Sequence, residues 1–121
     1  MVDNQKVARD IMTLLQTIEE GMEHINNRIQ EENVLATSYF FDDIVSAITS
    51  IVRSLQPILP HLGENRVLTQ SEQLIAAMEE MTSGYEQEDE AKTIRALQEL
   101  MPAFKAWQGE LNRCLILYTS C

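Results

Sequence analysis

Histidine and cysteine are scarce: the chain has two of each. A zinc site of three histidines, or of mixed histidine and cysteine ligands, lacks donors, because His24, His61, Cys114 and Cys121 share no ligand spacing. A di-iron bundle needs Glu-x-x-His pairs, but the residues three before the histidines are Gly21 and Ile58. There is no P-loop, no G-x-G-x-x-G and no H-E-x-x-H. Cys114, on an apolar stripe without a local base, reads as core. Were both cysteines helical, their seven-residue separation would put them roughly 10 Å apart along the axis, too far for a disulfide. Only 4 glycines and 3 prolines argue against a low-complexity or disordered chain.

Basic residues are the other deficit, 9 against 19 acidic, for a net charge of −10. That balance repels phosphate backbones and anionic lipid, so neither nucleic acid nor a membrane is expected as a partner. Met1 to Lys6 has no signal-like apolar run, and Ser46, Thr49 and Ser50 interrupt the most apolar stretch well short of ~18 residues. A cytoplasmic location is the expectation.

What the chain does have is apolar periodicity. Phe41, Ile44, Ile48, Ile51, Leu55, Ile58 and Leu62 step by threes and fours, which places them on one helical stripe. Pro57 and Pro60 are expected to end that helix. A first segment from Asp3 to Glu32 carries Val7, Ile11, Leu14, Leu15, Ile18, Met22, Ile25 and Ile29, with Asp3 as cap and Gly21 as an interruption that permits close contact or a bend. Asn33 is a candidate cap for the second. Thr69-Gln70-Ser71-Glu72 matches a capping box for the third, which starts there or near Asn65 and stops at Ser83-Gly84 or runs on to Tyr85. The acidic run Glu86, Glu88, Asp89, Glu90 opens the fourth, where it opposes the positive end of the helix dipole. Ile94, Leu97, Met101, Phe104, Leu111, Leu115 and Tyr118 form the last stripe, with Pro102 inside it. The expected fold is all-α: one domain over residues 1–121, an antiparallel up-down-up-down four-helix bundle whose last helix is kinked or broken near Pro102.

Two function classes remain. Glu19, Glu20 and Glu23 form the E-E-x-x-E pattern seen in all-helical nucleotide pyrophosphohydrolases, which hold magnesium with carboxylates from two helices. The matching E-x-x-D is missing from the second helix, where Asp42-Asp43 stands alone, so a divalent-metal enzyme is the minor alternative. The leading class is a protein-interaction module, an adaptor or small chaperone without catalytic, cofactor or metal residues. Tyr39, Phe40 and Phe41 are consecutive and sweep about 200° of a helix, so they cannot all face the core. With Trp107 and Tyr118 they either close one end of the core or present a surface to a partner or a second copy. The candidate binding residues are Tyr39, Phe40, Trp107 and Tyr118.

The segments Ser83-Gly84-Tyr85-Glu86-Gln87-Glu88-Asp89-Glu90 and Leu100-Met101-Pro102-Ala103-Phe104-Lys105-Ala106-Trp107, with Ile18-Glu19-Glu20-Gly21-Met22-Glu23 and Leu55-Gln56-Pro57-Ile58-Leu59-Pro60, are similar to an uncharacterised family of small acidic helical proteins from Gram-positive bacteria. The resemblance implies a helical fold and carries no site residues.

Overall fold

A computed structural model describes residues 3–31 and 33–120. Cys121 and Glu32 lie outside them. Four helices pack together: α1 (Asn4–Gln30), α2 (Ser38–Leu55), α3 (Val67–Glu86) and α4 (Glu90–Thr119), with 3-10 turns at Leu35–Thr37 and Leu59–His61. The described residues contain no strand.

α1 starts where the sequence places it. The Asp3 carboxylate accepts from the backbone N–H groups of Gln5 and Lys6, two donors with no helical partner of their own. Its buried stripe is Ala8, Ile11, Leu15, Ile18, Met22, Ile25 and Ile29. The whole ladder from Phe41 to Leu62 is buried, including Ile58 and Leu62, which lie beyond the end of α2. The helix ends before Pro57 as expected, and the 3-10 turn carries the stripe onward.

Several expected boundaries move. Asn33 does not cap α2, which begins at Ser38 after the 3-10 turn. The turn is held instead by Thr37, whose hydroxyl donates to the Val34 carbonyl at 2.6 Å and lies 2.6 Å from the Tyr85 hydroxyl. With Thr37 already donating, Tyr85 is the donor across to the turn that precedes α2. The capping box at Thr69 is not used, because α3 starts at Val67. The Val67 N–H is satisfied by the Asn65 side chain at 2.9 Å, and the Arg66 N–H by the Glu110 carboxylate at 2.8 Å. A carboxylate from α4 therefore serves the start of α3.

Nor does α3 stop at Gly84. It runs on to Glu86 and turns at Glu88, which has a positive φ of 53°. Asp89 N–H returns to the Gly84 carbonyl and Glu88 N–H to that of Tyr85, so the last carbonyls of α3 are satisfied by a left-handed turn. Asp89 then caps α4 by accepting from Lys92 N–H. Gly84 has a packing role. A Cβ built there would lie 2.5 Å from Thr93 Oγ1 and 3.0 Å from the Thr93 backbone.

α4 does not break at Pro102. It is one uninterrupted helix from Glu90 to Thr119. A proline inside a helix costs ~3 kcal/mol, but Leu100, Phe104 and Trp107 are buried on either side of it and hold both halves to the core. α4 packs against both α3 and α1, and α1 also packs against α2. Residues Leu35–Leu55 are long and apolar enough to cross a membrane by length and composition. Here their Phe41–Leu55 stripe lies in the core.

The two glycines of α3 and α4 should respond oppositely to alanine. Gly109 is exposed with nothing within 4 Å of a built Cβ, so Gly109→Ala should stabilise by about 0.5–1 kcal/mol. Gly84→Ala should destabilise by about 1–2 kcal/mol, the overpacking against Thr93 outweighing the gain in helix propensity. Urea unfolding followed by the fluorescence of the single tryptophan measures both. A stabilised Gly84→Ala would contradict the close approach of α3 to α4.

Candidate functional site

The structure divides the four candidate residues among three places. Trp107 is fully buried. Its indole N–H donates to Ser71 Oγ at 2.9 Å, and its ring lies 6.0 Å from that of Phe104. It is therefore removed from the proposed surface. The spacing Phe104, Trp107, Leu111 continues the core stripe of α4, and an indole can sit there only with a partner for its N–H. Ser71 supplies it from the buried stripe of α3. Tyr118 is half-buried near the end of α4, beside a small pocket with Leu62, Arg113, Cys114 and Leu117. Burial pushes the Cys114 thiol up, so it remains protonated near neutrality.

Tyr39 and Phe40 stay outside. Tyr39 is 76% exposed and Phe40 39%, while Phe41 turns inward against Tyr85, 5.4 Å between ring centres. The sweep of three consecutive aromatics around a helix is thus resolved into one core and two surface residues. Phe40 meets Tyr39 edge-on at 6.3 Å and His24 of α1 at 4.7 Å.

That contact is one end of a groove between α1 and α2 that the spacing did not reveal. It has a volume of about 250 Å³. Leu14, Ile18, Ile44, Ala47 and Phe40 make it apolar, and Thr17, His24 and Asp43 stand at its polar edges. Gly21 lies in it opposite Ile44, where a Cβ would approach Ile44 Cδ1 to 3.3 Å. The interruption in the first segment is therefore a close contact between α1 and α2, within an unbroken α1. The sequence holds the parts, a glycine inside an amphipathic helix and apolar residues of α2, Phe40 and Ala47, off the core stripe, but not their pairing.

The five carboxylates of the metal alternative do not gather. Glu19 accepts from the Gln108 amide of α4, while Glu20 and Glu23 are exposed. Asp43 faces the α1–α2 groove, and Asp42 lies in a separate pocket with Tyr85 and Thr82. Among the described residues, no group of three or more His, Cys, Asp or Glu side chains is placed to hold a metal ion.

The clearest electrostatic contact is structural. Glu110 accepts from Arg113 Nε at 2.8 Å and from the Arg66 N–H, and these bonds, the arginine's first, hold its carboxyl below the usual range. A carboxyl with a lowered folded pKa contributes stability above its unfolded value, which is lost as pH falls through the folded one. Glu110→Gln should therefore be less stable than the parent at pH 7, and the difference should shrink as the pH falls below the usual carboxylate range. A difference that does not shrink with acid would show that ionisation of Glu110 is not what matters.

Trp107→Phe should cost about 1–3 kcal/mol, through lost volume and an unpartnered Ser71 hydroxyl. Phe40→Asp, at a partly exposed position, should cost no more than about 1 kcal/mol. Denaturation followed by far-ultraviolet circular dichroism separates the two, and a larger loss for Phe40→Asp would place Phe40 in the core.

No curated protein and no solved structure is matched by this chain. A family described as a domain of unknown function, DUF8042, matches residues 6–110. That match runs from the first turn of α1 into α4, in agreement with the similarity to an uncharacterised family, and the chain belongs to the DUF8042 family.

Proposed function

We propose that this protein is a non-enzymatic, cytoplasmic interaction module, an adaptor or small chaperone, that binds a protein partner through the α1–α2 groove and its Tyr39–Phe40 edge. One observation carries the reading: two adjacent aromatics, 76% and 39% exposed, stand at the end of an apolar groove. Exposed aromatic and apolar surface in a small soluble domain is the usual mark of a docking site. The net charge of −10 disfavours nucleic acid and anionic membranes as the partner. We read the frame as an antiparallel up-down-up-down bundle with α4 bent at Pro102. The Arg66–Glu110 and Thr37–Tyr85 contacts support the antiparallel arrangement.

A second reading is a structural homodimer. It is favoured by Ile116 and Leu117, 54% and 64% exposed at the end of α4, with Leu68 at 64% on α3. In that case Tyr118 would belong to the self-association surface.

Photo-crosslinking separates the readings. A benzophenone amino acid is placed at Phe40 in the full chain, with exposed Gln98 of α4 as the control position. The interaction-module reading expects adducts with another protein at position 40 and none at 98. An adduct of twice 13.8 kDa would mean self-association. Adducts at both positions, or at neither, would overturn the proposed face.

A further inference from the structure

The seam between α1 and α2 is longer than the groove beside Phe40. It continues between Val7, Asp10 and Ile11 on α1 and Ser50, Ile51 and Ser54 on α2, and Leu14 lines both stretches. From Val7 to His24 the helix rises about 26 Å. A long shallow trough with an apolar floor is the shape that accepts an amphipathic helix.

The charges along this trough are of one sign. No lysine or arginine lines either stretch, whereas Asp43 lines one and Asp10 the other. Asp10 is joined to Lys6 at 3.2 Å, with both side chains well exposed, so the pair is weak and easily exchanged. Asp43 enters no ion pair among the described residues. Ile44 sits against Gly21, which puts Asp43 near the level of Gly21. Asp10 and Asp43 are then separated by about 16 Å along the seam, or about three helical turns.

We propose that the α1–α2 trough seats an amphipathic helix of a partner protein, carrying two basic side chains about three turns apart, one on each flank of its apolar stripe. This rests on the interaction-module reading above and adds the chemistry of the occupant. The apolar stripe covers Leu14, Ile18, Ile44 and Phe40. The basic groups meet Asp10 and Asp43, and the acidic surface of the whole chain speeds the encounter.

The test uses the full chain and three fluorescein-labelled 18-residue helical peptides. All share one Leu/Ala stripe. At two positions about twelve residues apart, on opposite flanks of that stripe, they carry Lys, Gln or Glu. Anisotropy titrations at 0.15 M salt should rank them Lys, Gln, Glu, each step about threefold or more, the range of exposed charge pairs. Asp43→Asn should weaken the Lys peptide about threefold and leave the Gln peptide unchanged. Phe40→Asp should weaken all three about tenfold or more with the helical signal intact. Equal binding of the three peptides, still lost in Phe40→Asp, would overturn the basic occupant and leave the groove standing as a docking site. A Lys peptide indifferent to Asp43→Asn and Phe40→Asp would mean non-specific charge attraction and overturn the proposal. So would absence of binding at about 1 mM, while the crosslink at position 40 would still judge the interaction reading by itself.

Discussion

The indole of Trp107 must be dry and hydrogen-bonded at once, and much of the bundle follows from that requirement. The ring is fully buried in α4, so its N–H has no water. Only a polar group buried with it prevents a cost of about 1–3 kcal/mol. Ser71 is that group, and its position fixes the register of α3 against α4. The two ends of the same pair are fixed independently. At one end Gly84 lets the Thr93 backbone approach to within 3.0 Å of a built Cβ, and at the other Glu110 takes the N–H of Arg66. Three contacts of different chemistry thus agree on one alignment of α3 against α4.

Periodicity made the interior legible and left the long-range partners hidden. The ladder from Phe41 to Leu62 needed only local spacing, and all of it is buried. The Asp3 cap was also local, since its bonds reach only to Gln5 and Lys6. Of the two expected starts of α3, at Thr69 or near Asn65, the earlier one is used, because N–H groups ahead of Thr69 find partners of their own. Here Asn65 and the distant Glu110 reach the Arg66 and Val67 N–H groups, and the helix starts two residues before Thr69. The break that Pro102 allowed does not occur, because tertiary burial on both sides outweighs a local penalty.

The candidate surface was legible by half. Three neighbouring aromatics cannot share a core face, so the sequence alone required exposure of Tyr39 or Phe40, and both are exposed. Trp107 was readable as core from its spacing to Phe104 and Leu111. A buried serine at position 71, within the stripe Val67, Leu74, Met78, was the complementary signal. The groove itself was not readable. It depends on Gly21 lying opposite Ile44, a pairing between helices that no one-dimensional pattern encodes.

The composition of α2 ties these observations together. A helix that buries one stripe in a bundle is expected to be polar elsewhere, yet Leu35–Leu55 is apolar enough to cross a membrane by length and composition. The core ladder accounts for part of that apolar character. The rest comes from residues beside the ladder, such as Phe40, Val45, Ala47 and Val52, which are exposed or half-buried. Phe40 and Ala47 face the α1–α2 groove. Apolar surface that the fold does not cover costs solubility unless something else covers it. The net charge of −10 offsets that cost, and the apolar seam of α2 is the surface on which the proposed partner would sit.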